Sequence, residues 1–239
     1  MKIKSVKFRM IAIALLSATM PFTAKAQDKV EASVGADFVS NYIWRGTDCG
    51  GVSIQPSMGV SYKGLSLAAW GSVGIDKEDA REIDLTLGYT TGGFNVSVTD
   101  YWFSYHKEDG GYTGDYFKYG AHSTVHIFEA TLGYDFGPLA LSWNTYFAGD
   151  DYTKENGDRA YSTYVGISAP FKLGGLDWSA EVGLTPWEGA YANKFNVTNL
   201  TLKAEKEIKF TNYFSLPTFA QVTFNPHTQG AYFVFGVSF

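Results

Sequence analysis

Ala231-Tyr232-Phe233-Val234-Phe235-Gly236-Val237-Ser238-Phe239 is the stretch on which the reading of this 239-residue chain turns. Side chains of a strand alternate between two faces, so Ala231, Phe233, Phe235, Val237 and Phe239 share one and Tyr232, Val234, Gly236 and Ser238 the other. The first face carries no polar atom, while the second is small or half polar. A soluble domain seldom ends on three phenylalanines in alternation. The pattern therefore points to a strand whose oily side faces lipid, rather than to the edge strand of a sandwich.

The same alternation recurs upstream. Ile54, Pro56, Met58, Val60 and Tyr62 oppose Ser53, Gln55, Ser57, Gly59 and Ser61; Ile83, Leu85, Leu87 and Tyr89 oppose Glu82, Asp84, Thr86 and Gly88. Leu176, Trp178, Ala180, Val182 and Leu184 likewise oppose Asp177, Ser179, Glu181, Gly183 and Thr185. Read throughout, the chain predicts twelve strands, the first running from Ser33 to Arg45 with Tyr42 and Trp44 on its apolar side and Asp37, Asn41 and Arg45 on the other. Tight turns (63–64, 90–93, 135–138, 172–175, 209–213) alternate with loops that are mostly longer (46–52, 76–81, 104–121, 149–160, 186–196, 225–230), as short periplasmic turns and longer outer loops would. Tyr62, Tyr89, Tyr134 and Phe171 each hold the last outward position before a tight turn, and Trp44, Trp102, Phe147 and Phe224 are expected at the opposite rim. Two such aromatic girdles mark the two interfaces of a membrane. The expectation is all-β: a transmembrane antiparallel β-barrel of twelve strands over residues 27–239.

Residues 1–26 read as a cleaved secretory signal peptide: Lys2, Lys4, Lys7 and Arg9, then the apolar run Met10 to Met20, then Ala24-Lys25-Ala26. Removing them takes five of nineteen basic residues and no acidic one, moving the formal charge from −5 to −10. So acidic a chain argues against nucleic acid as a partner. Cys49, the only cysteine, can close no internal disulfide and reads as a loop thiol without a role. No mature stretch approaches the roughly 20 consecutive apolar residues of a membrane helix, so a membrane form has to be a barrel. The terminal alternation also resembles the closing strand of bacterial outer-membrane barrels, where a C-terminal aromatic belongs to the assembly signal. That resemblance implies an outer-membrane location, a lipid surround and an assembly machinery that recognises the last strand.

No phosphate loop, zinc spacing or nucleophile elbow appears, and no cofactor is expected. His122 and His126 read as sharing a strand face, but four residues along a strand is about 13 Å, too far for one metal ion. The expectation is that the chain is not an enzyme. The inward face is more telling: Asp37, Glu82, Asp84, Glu129, Asp177, Glu181, Glu205 and Glu207 stand against Arg45 and Lys203. Eight acids against two bases suit an acidic aqueous path lined by Asp37, Asn41, Arg45, Glu82, Asp84, Glu129, Glu181, Lys203, Glu205 and Glu207. The same residues could instead pair into a polar plug, with Trp70, Tyr146, Tyr164 and Phe219 filling the bore.

Asp37 to Gly46 (DFVSNYIWRG), followed by Ile54-Gln55-Pro56, Lys63-Gly64-Leu65 and Ala69-Trp70-Gly71, is similar to the start of the TorF-type family of porins. It departs from the family's S-D-Y-V-x-R-G in reading Asp-Phe-Val-Ser-Asn-Tyr-Ile before Trp44-Arg45-Gly46. The resemblance covers Ser33 to Ile75, implies a small outer-membrane porin of unknown substrate and transfers no catalytic residue. The function expected is passive diffusion of small polar solutes or ions with a preference for cations. A closed barrel with an adhesive or envelope-structural role, and below it an outer-membrane hydrolase, are the alternatives.

Overall fold

A computed structural model describes residues 29–107 and 111–239; the signal segment expected at 1–26 lies outside them. Among the described residues there are fourteen strands and no helix. In chain order they are β1 (Glu31–Val39), β2 (Tyr42–Trp44), β3 (Thr47–Gly50), β4 (Ser53–Tyr62), β5 (Leu65–Gly74), β6 (Arg81–Thr91) and β7 (Phe94–Ser104). There follow β8 (His126–Asp135), β9 (Ala140–Gly149), β10 (Thr163–Leu173), β11 (Leu176–Thr185), β12 (Asn196–Lys209), β13 (Ser215–Asn225) and β14 (Gly230–Ser238). Twelve of these, β1 and β4 to β14, close into one barrel, and β2 and β3 pair only with each other.

Every barrel pairing is antiparallel and joins strands that follow one another around the wall, so each hairpin is set by its own turn. Lys63-Gly64, Gly92-Gly93 and Gly174-Gly175 each hold both central residues at positive φ. That left-handed pair is the two-residue turn whose twist matches the flanking strands, and glycine adopts it without a Cβ clash.

Outward residues are those the alternation predicts. Phe233, Phe235 and Phe239 are 69 %, 50 % and 58 % exposed, while the intervening Val234 is 3 % exposed. Met58, Leu67, Leu87, Val96, Leu132 and Leu202 continue this exposed apolar surface around the wall. A soluble surface rarely carries a contiguous apolar patch of more than a few hundred Å2, so an exterior of this kind fits a membrane-embedded, outer-membrane type of barrel. Tyr62, Tyr89, Phe94, Tyr134, Phe171 and Phe214 are exposed beside the tight turns, with Phe147 and Phe224 toward the other rim.

The structure departs from the predicted first strand. β1 leaves the wall at Val39, not Arg45, and residues 40–52 turn inward as a hairpin. Tyr42 and Ile43 are buried inside, and Trp44 packs against lumenal Tyr101, so neither Tyr42 nor Trp44 faces lipid and Trp44 belongs to no girdle. Alternation continues through Tyr42, Trp44 and Arg45 because β2 is itself a strand; period two reports a strand but not which sheet it joins. A second correction concerns the histidines. β8 begins at His126, and His122 lies in the preceding turn at φ 65°, so the two share no strand face.

Closure is the shortest seam. β1 meets β14 over Asp37–Ser238, Phe38–Val237 and Val39–Gly236, against nine pairs between β1 and β4. Ala36 N–H donates to Phe239 O (3.2 Å), and Phe239 N–H donates back to Ala36 O (2.9 Å). Beyond Val39, Ser40 N–H donates to Phe235 O and Phe235 N–H to Ser40 Oγ, both at 2.9 Å. Ser40 is where the chain turns into the lumen.

Candidate functional site

The inward hairpin is built on the same turn as the barrel hairpins. Arg45 and Gly46, between β2 and β3, have φ 51° and 80°. Arginine at such a φ costs about 1–2 kcal/mol of backbone strain, so what its side chain gains has to offset it. Gly46 is required on two counts: its φ is positive, and a Cβ there would lie 1.9 Å from the Thr198 carbonyl oxygen on β12. Asn225 on β13 donates from Nδ2 to the Gly46 carbonyl at 3.0 Å, docking the tip against one side of the barrel.

From that tip the Arg45 side chain reaches the opposite wall. Nη1 and Nη2 donate to Glu129 Oε2 and Oε1 on β8 at 2.5 and 2.9 Å, a fork-to-fork pair between residues 84 positions apart in sequence. Nη1 also donates to Tyr191 Oη at 2.6 Å, and Tyr101 Oη donates to Glu129 Oε1 at 3.0 Å. The guanidinium carbon lies 4.4 Å from the Trp44 ring centre, 4.7 Å from Tyr164 and 5.8 Å from Tyr191. Tyr146 completes the wall, its ring 6.3 Å from Tyr101 and 6.0 Å from Tyr191. Arg45 is 6 % exposed and Glu129 1 %. The result is a cation held by one carboxylate against three aromatic rings, with Tyr101 and Tyr146 packed behind them.

Geometry explains the electrostatics. Burial alone would lower the Arg45 pKa, but Glu129 more than offsets it and holds the guanidinium charged. Burial pushes the Tyr191 phenol up to about 12, against the opposing charge of Arg45 and with Glu129 adding to the rise. A desolvated cation over aromatic faces gains about 2 kcal/mol per good contact, and removing one partner of a buried ion pair costs about 3–5 kcal/mol. These terms exceed the strain at the turn.

Behind Tyr164 a second carboxylate extends the network: Tyr164 Oη donates to Glu181 Oε1 at 2.5 Å, and Asn199 Nδ2 donates to the same oxygen at 3.1 Å. Gly183 makes room for this ring, since a Cβ there would fall 2.0 Å from Tyr164 Oη. On the other flank of the hairpin Tyr42 packs on Trp70 with ring centres 5.5 Å apart and lies beside the Glu82 and Asp84 carboxyls. Cys49 sits on β3 beside this group, not in a rim loop. Burial first, then Glu82 and Asp48, push its thiol pKa up. Asp79 fixes the far end of the hairpin by accepting from Gly51 N–H at 3.2 Å.

The remaining predicted residues lie toward the tight-turn end. Asp37, Asn41 and Lys203 line a cavity of about 30 Å3 together with Gln55, Gln221 and Phe219, which is room for about one water. Lys203 Nζ pairs with Glu205 at 2.6 Å and stands 4.3 Å from the Phe219 ring centre. Glu207 accepts from Ser215, and Asp177 pairs with Lys172, a third inward base that the eight-to-two count omitted. The structure thus brings Arg45 and Glu129 together, groups Glu82 with Asp84 and Asp37 with Lys203, and leaves Glu207 apart.

Sequence reasoning missed Tyr191, which comes from the 186–195 loop and carries no periodic signal. It also missed Tyr101, whose inward parity with Thr99 was readable. His126 turns out to lie on the outer side. Its Nδ1 is 2.7 Å from Asp100 Oδ1, its Nε2 is 2.7 Å from the Tyr116 carbonyl, and Tyr119 stacks over it at 4.3 Å. Among the described residues no group of three His, Cys, Asp or Glu side chains could hold a metal ion. No family model and no curated protein matches this chain.

Proposed function

We propose that this chain is an outer-membrane channel for passive diffusion of small polar solutes or ions, preferring cations, whose first hairpin closes the lumen at rest. One observation carries the reading: a single element, residues 40–52, is inserted into the lumen and sets Arg45 among the wall rings Tyr101, Tyr146 and Tyr164 and the loop ring Tyr191, while inward wall positions nearer the tight turns are small, including Ser57, Gly59, Ser66, Gly88, Ser97, Gly133, Ser142 and Gly166. A barrel built to stay shut could fill its bore from the wall alone. Here the inward wall rings close on an insert joined to the wall at its two ends. Inward acids still outnumber inward bases once Lys172 and Lys209, both on the inward face near the tight turns, are counted, which supports the cation preference. The TorF-type resemblance adds support, since Arg45-Gly46, which matches the R-G of that family's start, forms the tip of the closing hairpin. The reading assigns no catalysis to the chain.

A second reading, a permanently closed barrel with an adhesive or structural role, is favoured by the burial of the Arg45–Glu129 pair. Bilayer conductance separates the two. Wild type should conduct rarely, and a variant with residues 41–50 replaced by a short Gly-Ser linker should conduct steadily with a reversal potential of cation sign. Changing Glu82, Asp84 and Glu181 to amides in that variant should move the potential toward zero. A folded linker variant that stays silent would establish the closed barrel.

A further inference from the structure

The occupant of the aromatic cage is part of the protein, but nothing in the cage demands that it be. Tyr101, Tyr146, Tyr164 and Tyr191, none of them on the hairpin, present faces and hydroxyls, Glu129 presents both oxygens to a planar fork, and Arg45 Nε is buried without a hydrogen-bond partner. That last atom matters: the carboxylate takes the two terminal nitrogens, and the stem enters through a turn strained at φ 51°. Such a receptor is complementary to a guanidinium head rather than to the particular chain that delivers it.

We infer that the cage is a binding site for solutes bearing a guanidinium group, and that Arg45 is a tethered competitor which such a solute displaces. The inference rests on the channel reading for its biological use, since it names the solute class that would release the hairpin; the binding itself does not depend on conduction. A guanidinium compound reaching Glu129 takes over the fork and the Arg45 side chain loses its partner, which leaves the hairpin held by Gly46–Asn225, Gly51–Asp79, the Tyr42–Trp70 packing and the burial of Ile43 against Val39 and Val234. A compact alkylammonium has the charge but not the planar fork, and should compete less well. A tethered group acts at an effective concentration on the order of millimolar, so displacement in the wild type needs tens of millimolar of free solute.

Cys49 supplies the readout, because it is the only cysteine, rides on the hairpin and is half-buried, with its thiol pKa pushed up by the surroundings that the hairpin's position gives it. Refolded wild-type protein in micelles is treated with a thiol-alkylating reagent at fixed pH, in methylguanidinium chloride and, at equal concentration, in sodium chloride, methylammonium chloride or urea. Methylguanidinium should accelerate labelling about 5-fold or more with saturation, and the three controls by less than about 2-fold. In parallel, calorimetry on Arg45→Gly, a change the positive-φ turn accepts, should give saturable methylguanidinium binding at least about 10-fold tighter than to wild type. Adding Glu129→Gln should abolish that gain. Labelling no faster than in sodium chloride overturns the inference, even where Arg45→Gly does not refold; so does a folded Arg45→Gly that binds no tighter than wild type. Because neither readout involves current, a silent bilayer would count against the channel and leave the site standing.

Discussion

At the scale of single residues the ion pair at the centre of the lumen sets the expectations. Glu129→Gln should leave the Arg45 charge buried against a neutral amide and destabilise the barrel by about 3–5 kcal/mol, read from the shift of the urea midpoint in detergent. Replacing both Arg45 and Glu129 by apolar residues should cost less than the sum of the single changes, since no charge is then left unpaired. Tyr191 predicts a pH dependence. Its phenol ionises near 10 when unfolded but near 12 in the cage, so the folded state holds the proton more tightly. The contribution is complete below pH 10 and is lost as pH rises from 10 toward 12. Tyr191→Phe should lessen the slope of the alkaline unfolding curve by the share of one phenol, and an unchanged slope would show that the loss arises elsewhere. Much of this site was legible one side at a time. Glu129, Tyr146 and Tyr164 read as inward, and Arg45 carried the right parity, but a pairing across 84 residues leaves no trace in periodicity.

Elements were more legible than their endpoints. The barrel strands lie where alternation put them because every strand has an apolar exterior on one side and the lumen on the other, the condition under which period two is strongest. The inward hairpin was missed although its sequence held two cues. Ser40 is the one polar residue on the predicted apolar face, and its hydroxyl takes the Phe235 N–H at the point where the chain departs. Arg45-Gly46 is also a two-residue turn of the kind read correctly at Lys63-Gly64. The alternation of turns and loops gives an orientation test. Gly157 and Gly174 lie at opposite ends of the barrel, and a side chain added at either meets open space. A short epitope inserted at Gly157 should bind antibody on intact cells, and one at Gly174 only after permeabilisation. Equal labelling of both would contradict the orientation.

For the molecule as a whole, the seam decides stability. Its three ladder pairs depend on the last residues of the chain, and Phe239 contributes two main-chain hydrogen bonds with Ala36 as well as an outward ring. Deleting Phe239 should therefore lower the folded fraction recovered in outer membranes by several-fold while leaving export unchanged. Phe239→Leu keeps the main-chain bonds and an apolar side chain and should be the milder change. Normal recovery of the deletion would mean that the seam is closed by β14 residues upstream of it. The cylinder itself was visible in the sequence from the even strand number and the two-sided wall. That the last strand pairs with the first was expected as well, since a closed sheet leaves no edge; the shortness of that seam was not, because no turn sets its register.

The seam also has a consequence in time. Every other wall pairing joins neighbours along the chain and can form as a local hairpin within microseconds. The β1–β14 contact joins Ala36 to Phe239, so its loop-closure entropy is the largest in the molecule, and the cylinder cannot gain from it until all the other strands are in place. Closure is thus the last and slowest event, and until then both terminal strands offer bare edges to any neighbour. The segment that ends up in the bore is attached to one of those edges, immediately after Val39. Refolding followed by heat-resistant mobility and by shielding of Cys49 should show the thiol protected no later than the cylinder appears. The insert is walled in as the ring shuts, rather than threaded through a finished mouth.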